Sequence, residues 1–337
     1  MPNSRLILLF LGLAFVGLFG PALRPAAPAG EPYALHYPAG WPAPAYDFSR
    51  NPLTREGVAL GRQLFYDPML SRDSTVSCSS CHLSYTAFTH VDHALSHGIG
   101  DRIGTRNSPA LMNLAWSRLL MWDGAVNHLD VQALAPISNP VEMDENIAHV
   151  VEKLSRHPRY PALFRAAFGD ERVSGERVLK ALAQFELTLV SADSRYDRVM
   201  QGRDTFSRQE QNGYRLFREF CADCHAEPFF THFGFEKNGL PPDTALLDYG
   251  RMRISGLAAD SLKFKVPSLR NIEFSYPYMH DGRFKKLRDV VNFYTQSTAL
   301  DRKVVLSADE KTDLIAFLLT LSDRAFLFNE DFAFPKN

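Results

Sequence analysis

Cys78-Ser-Ser-Cys81-His82 and Cys221-Ala-Asp-Cys224-His225 use up all four cysteines of this 337-residue chain. In a CxxCH pentapeptide, two thiols three residues apart can each add to one vinyl group of a single haem, which sets the following histidine under the iron. Each motif therefore reads as one covalently held haem c: Cys78, Cys81 and His82 for the first, Cys221, Cys224 and His225 for the second. A four-thiolate zinc site usually brings its two cysteine pairs closer together in sequence. Here a long stretch of chain parts them, and a histidine follows each pair. A disulfide framework is the weaker rival, because a two-residue gap in a chain of this length is a redox or ligand spacing more than a staple.

Outward from the motifs, helical patterns dominate. Thr54 can cap a helix running to Tyr66 and ended by Asp67-Pro68. Asp144 can cap a second, with Ile147, Val150, Val151 and Leu154 at helical spacing, and Ser174 opens a third carrying Val178, Leu182, Phe185 and Leu189. Ser207 with Glu210, and Ser307 with Glu310, are capping boxes for the helix entering the second motif and for the C-terminal helix. No stretch shows sustained period-two alternation, and residues 31–53, with Pro38, Gly40, Pro42 and Pro44, read as an extended lead-in over a surface. Gly61-Arg-Gln-Leu64-Phe65 before the first motif is echoed by Gly213-Tyr-Arg-Leu216-Phe217 before the second. The expected fold is mainly α, two cytochrome c-like haem domains related by duplication with few or no strands, the first over residues 31–204 and the second over 205–337.

A hydrophobic content of 45% with 22% charged residues is that of an ordinary globular protein, long enough for two cores. The formal net charge of −1 gives no basic field for nucleic acid, so partners are recognised locally. Arg5 precedes the apolar run Leu6 to Gly20, which is short for a membrane span and suits the core of a secretory signal with an Ala-x-Ala-like site at Ala27 to Ala29. Residues 1–30 are thus expected to be a signal peptide, with an uncleaved anchor as the alternative, and the chain to be exported to the periplasm or an equivalent extracytoplasmic space.

Further segments recur in a fixed order: Phe88-Thr89, Gly104-Thr-Arg106-Asn107-Ser-Pro109, Met121-Trp122-Asp123-Gly124 and Gln132-Ala-Leu-Ala-Pro136-Ile-Ser-Asn139-Pro140-Val-Glu142-Met143. Downstream lie Phe264-Lys-Val-Pro267-Ser-Leu269-Arg270-Asn271 and Tyr276-Pro-Tyr278-Met279-His280-Asp281-Gly282. From Asn51 to the end of the C-terminal helix, this set resembles the bacterial di-haem cytochrome c peroxidase family, which includes MauG. The resemblance implies that the haem of His82 meets hydrogen peroxide and that of His225 relays electrons. It also implies that Glu142 moves a proton between the peroxide oxygens with Gln132 beside it, and that Trp122 carries electrons between the haems. Asn107, with backbone carbonyls near Lys265 and Pro267, matches the family's calcium site, and oxygen ligands suit that hard cation. Read without the resemblance, Glu142 is a surface glutamate capping the helix begun near Asp144, and Trp122 a core residue at a turn.

The face opposite each histidine is less determined. Members of the family with a methionine at the second iron place it in the helix after His-Asp-Gly. This chain has none there, and Tyr294 falls where MauG-like enzymes have a tyrosine ligand. Leu287, Val290, Val291 and Tyr294 also form an i, i+3, i+4, i+7 stripe, so a core tyrosine has the same pattern. His97 reads either as a displaceable ligand of the first iron or as a loop histidine, and His90 and His93 share its loop. Three functions follow: a peroxidase fed by a small cytochrome or cupredoxin; a MauG-like enzyme whose high-valent haems oxidise Trp or Tyr of an exported partner protein; or a non-catalytic electron carrier, which the Gln132–Glu142 segment argues against.

Overall fold

The computed structural model describes residues 29–297, 299 and 303–336, so nearly all of the expected signal segment lies outside the described residues. The first half contains α1 (Arg55–Tyr66), α2 (Cys78–Cys81), α3 (Leu129–Gln132), α4 (Leu134–Ser138), α5 (Ile147–Arg156), α6 (Tyr160–Phe168) and α7 (Gly175–Leu187). After α8 (Arg195–Met200) come α9 (Arg208–Phe220), α10 (Met252–Ser255), α11 (Leu287–Gln296), α12 (Ala308–Leu319) and α13 (Arg324–Leu327). The strands among the described residues are β1 (Phe235–Lys237) and β2 (Lys263–Lys265), paired antiparallel with Phe235 opposite Lys265. The fold is mainly α.

The expected caps hold where a free side-chain oxygen meets the first turn. Thr54 accepts from Gly57 N, Ser174 accepts from Arg177 N, and Ser207–Glu210 and Ser307–Glu310 close reciprocal boxes. The helix expected from Asp144 starts later. Asp144 has a left-handed φ of 50° and its carboxylate is engaged by Arg72 (3.0 Å) and Arg102 (2.9 Å), so Asn146 caps α5 instead, accepting from His149 N at 2.9 Å.

Two cores follow from the same helix crossing used twice. In the first, α1 lies across α7, and a Cβ on Gly61 would collide with Ala181 O and press on Phe185. In the second, α9 lies across α12, and a Cβ on Gly213 would collide with Asp313 O and press on Phe317. Glycine is what lets the two backbones touch. Beyond each crossing the chain repeats Phe185-Glu-Leu-Thr-Leu189 as Phe317-Leu-Leu-Thr-Leu321. Asn113 N donates to Leu189 O at 2.8 Å and Asn271 N to Leu321 O at 3.0 Å, both asparagines in the left-handed region. Leu60, Leu64, Phe65, Phe164 and Phe185 fill the first core, and Leu216, Phe217, Phe230, Phe317 and Leu321 the second. Full burial of each such side chain contributes about 1.5–3 kcal/mol.

The halves are laced together. Phe326 and Leu327 of α13 return to the first core, and Arg62 Nε and Tyr66 OH donate to the carbonyls of Ala333 (2.8 Å) and Phe332 (2.7 Å). Arg270, fully buried, donates to both carboxylate oxygens of Asp197 at 2.8 Å and to Pro228 O, with its guanidinium over the Trp41 ring. Tyr33, Leu35, Trp41, Tyr46 and Phe48 of the lead-in, all half-buried, pack on a third cluster containing Trp116 and Phe229, so this segment covers the surface of that cluster.

Candidate active site

Both histidines of the pentapeptides are set up in the same way. His82 Nδ1 lies 2.7 Å from Phe88 O and His225 Nδ1 lies 3.0 Å from Phe230 O, and both phenylalanines have left-handed φ that turns the carbonyl toward the ring. The carbonyls of Pro109 and Pro267, in matching segments, act on the same two rings. Burial pushes each imidazole down to about 4, so at neutral pH each is neutral, with its proton on Nδ1 and the Nε2 lone pair free. Cys78, Cys81 and Cys224 are free thiols. Among the described residues no three His, Cys, Asp or Glu side chains converge as a metal set, which is the wrong arrangement for four-thiolate zinc. Two thiols and one neutral imidazole with a free Nε2 in each half are the donor set that a c-type haem requires.

Glu142 stands beside the first motif. Burial raises its pKa above the ordinary carboxylate range, against the lowering effect of Asn139, whose Nδ2 donates to Oε1 at 3.0 Å. Burial raises the Cys81 thiol, and the charge of Glu142 adds to that rise. The loop carrying His97 is stitched to the same place: Ile99 N donates to Glu142 O at 2.7 Å, and a Cβ on Gly98 would strike the Val141 and Glu142 carbonyls. Asn146, and not Glu142, caps the next helix, so the capping role that a lone glutamate suggests here is taken by another residue. The His97 carbonyl accepts from Cys81 Sγ at 3.4 Å, while its ring stacks on His93 (3.9 Å between centroids) and His93 stacks on His90 (4.9 Å).

Trp122 is clamped between equivalent segments of the two halves. Its indole Nε1 donates to Asn107 O at 2.8 Å, and its carbonyl accepts from Lys265 N at 2.7 Å. Asn107 N donates to His280 O at 2.7 Å, while Asn107 Nδ2 donates to Ala94 O at 3.0 Å. The following Asp123 is bound by Arg106 Nη1 at 2.7 Å, and the same guanidinium takes Asp248 through two bonds of 2.6 and 2.8 Å. A cavity of about 500 Å³ has Cys221, Cys224, His225 and Tyr294 among its walls, together with Trp122 and Gln132. Gln132 Nε2 makes its hydrogen bond to Met121 Sδ at 3.6 Å, not to Glu142. Burial raises the Tyr294 phenol, and the Cys221 and Cys224 thiols act on it in the same direction. Met279 borders the same cavity.

A sequence profile described as "Di-haem cytochrome c peroxidase" matches residues 55–205. The methylamine utilization protein MauG of Methylorubrum extorquens is 38% identical over 80% of this chain and 79% of its own length. Cytochrome c551 peroxidase of Nitrosomonas europaea is 35% identical over 80% of this chain and 81% of its own. The chain belongs to the di-haem cytochrome c peroxidase and MauG family. It is an oxidoreductase of the cytochrome c peroxidase type, with peroxide as acceptor. The crystal structure of a MauG-like protein associated with microbial copper homeostasis is similar to it at a TM-score of 0.81 and 31% identity, covering 90% of this chain and 99% of that one. The diheme peroxidase BthA of Burkholderia thailandensis shares the fold at 24% identity, a TM-score of 0.71, and 85% and 91% coverage of the two chains.

Several contributors escaped the sequence reading. Phe88 and Phe230 act through carbonyls that only their backbone conformation aims, and Asn139 is defined by the turn it shares with Glu142. One signal was available: Pro109-Ala-Leu-Met-Asn113 and Pro267-Ser-Leu-Arg-Asn271 repeat one pattern, and aligning them would have extended the duplication to both histidine partners.

Proposed function

We propose that this chain is an extracytoplasmic di-haem peroxidase in two halves, over residues 31–204 and 205–337. Cys78, Cys81 and His82 hold one haem c covalently, and Cys221, Cys224 and His225 hold the other. The observation that carries this reading is the half-buried Glu142 carboxyl, ordered by Asn139 beside the first motif. A haem bound there supplies an iron able to take peroxide and deliver electrons to it. Glu142 accepts the proton from the nearer peroxide oxygen and returns it to the departing one, which a carboxyl of raised proton affinity suits. Trp122, bonded on both sides, lies on the route by which electrons from a small cytochrome or cupredoxin cross between the halves. Gln132 shares the lining of the cavity and orients polar groups there. A calcium ion on Asn107 and nearby carbonyls belongs to the same proposal, and its support is the family resemblance of the Asn107, Lys265 and Pro267 segments.

The test is peroxide turnover by the haem-loaded protein with a reduced small cytochrome or dye. Sustained consumption of two electrons per peroxide supports the reading, and failure of peroxide to change either haem spectrum overturns it in favour of an electron carrier. One observation favours a MauG-like reading, in which an exported protein's Trp or Tyr is the electron source: Tyr294 borders the cavity of the second motif, where a phenolate ligand would favour oxidised iron. A persistent two-electron-oxidised state with no efficient small donor, abolished in Tyr294→Phe, supports that branch. A methionine-to-iron band lost in Met279→Leu counts against it.

A further inference from the structure

The duplicated framework lets the two haem pockets be compared position by position. Ala181 and Asp313 carbonyls face Gly61 and Gly213, Phe185 and Phe317 fill equivalent core positions, and Leu189 and Leu321 receive Asn113 and Asn271. In that register Glu186 of α7 matches Leu318 of α12. Leu318 forms part of the cavity wall shared with Cys221 and His225. Glu186 is 5% exposed, and its register with Leu318 sets it on the side of α7 that faces the first motif, where burial first and then the charge of Glu186 raise the Cys78 thiol. Among the described residues its carboxyl receives neither a hydrogen bond nor an ion pair. Cys78 of α2 is the titratable group that faces it; α1, α3, α5 and the turn Leu114–Trp116, which pack on α7, bring no charged group to it.

An unpaired carboxylate in such a place is costly, and the group stays neutral instead. Burial accordingly pushes Glu186 up to about 8. A positive charge added nearby in a medium of low dielectric reverses that balance, because it favours the ionised form. The mechanism proposed above leaves Glu186 without a role, and the second half has leucine in its place.

We propose that Glu186 exchanges a proton with solvent in step with the first haem: its O–H bond breaks as the neighbouring iron gives an electron to peroxide, and re-forms when the external donor reduces that iron. Glu186 acts through charge and touches no reacting atom, so it is a positioning residue. Leu318 leaves the second haem free of this coupling, as suits a centre that only conducts. The inference rests on the two-haem reading, and measured haem content and spectra of the wild type test that reading separately.

The experiment is a spectroelectrochemical titration of the holoprotein between acid and alkaline pH, following each haem. In the wild type the potential of the first haem falls as pH rises, since oxidation releases a proton. Glu186→Gln and Glu186→Leu, the latter installing the residue of the other half, lose most of that slope at the first haem and leave the second haem unchanged. An unaltered slope in both variants overturns the proposal. Should a variant fail to take up haem, the oxidised-minus-reduced infrared spectrum of the wild type decides: loss of a protonated-carboxyl band on oxidation of the first haem supports Glu186, and no carboxyl signal overturns it.

Discussion

Glu142 and Asn139 show how a residue's function depends on neighbours that its own segment cannot reveal. If Glu142 is the proton shuttle proposed above, Glu142→Gln removes it while the amide keeps the shape, and turnover with peroxide should fall by about 10²–10⁴-fold with both haem spectra retained. A wild-type rate in that variant would remove Glu142 from the mechanism. The pH dependence has a definite sign. Burial raises Glu142, so its proton-accepting form appears only above a pH higher than that of an ordinary glutamate, and the acid limb of kcat/KM lies correspondingly high. Asn139 opposes the shift, so Asn139→Ala should move that limb further toward alkaline pH. At this scale the sequence singled out Glu142 as a candidate by its matched segment, whereas Asn139 and the Phe88 and Phe230 carbonyls depend on backbone angles that residue type does not report.

Among the elements, the helix pairs α1–α7 and α9–α12 carry the fold. Gly61→Ala and Gly213→Ala each force two backbones apart and should each cost about 1–3 kcal/mol in denaturant unfolding, with Gly213→Ala weakening the second haem's environment first. The Arg270–Asp197 pair ties α8 to the segment after β2. Asp197→Asn leaves a buried guanidinium uncompensated and should cost about 3–5 kcal/mol. Burial alone would raise Asp197, but the bonds from Arg270 outweigh it and hold the carboxyl below the usual aspartate value. The stability from this pair is therefore complete above the ordinary aspartate pKa, and is lost as pH falls through the lowered folded value. Acid titration of unfolding should show that loss in the wild type and not in Asp197→Asn. Capped amphipathic helices such as α1, α7, α9 and α12 were legible, since cap and apolar stripe are local. Asp144 misled because two arginines from other segments claim its carboxylate, and the short α8 and α13 have too few turns to show a period.

For the whole molecule, the decisive feature is the junction where Trp122 is bonded to Asn107 on one side and Lys265 on the other. Trp122→Phe removes the indole N–H and, with it, the relay proposed above, so donor-driven steady turnover should drop, while a single rapid-mixing reaction of peroxide with the prereduced protein keeps its first phase. Equal losses in both would make Trp122 a packing residue. By itself the sequence determined the two CxxCH motifs, the helical character, the duplication, and the family to which the chain belongs, because each is written in residue types at short, fixed spacings. Only the tertiary structure decided which cluster the lead-in covers, that the last helix returns to the first half, that Gln132 bonds to Met121, and that Glu186 and Leu318 occupy equivalent places on α7 and α12. Those facts depend on which distant segments share a volume and on how burial reprices a charge, and neither is a property of any local stretch of chain.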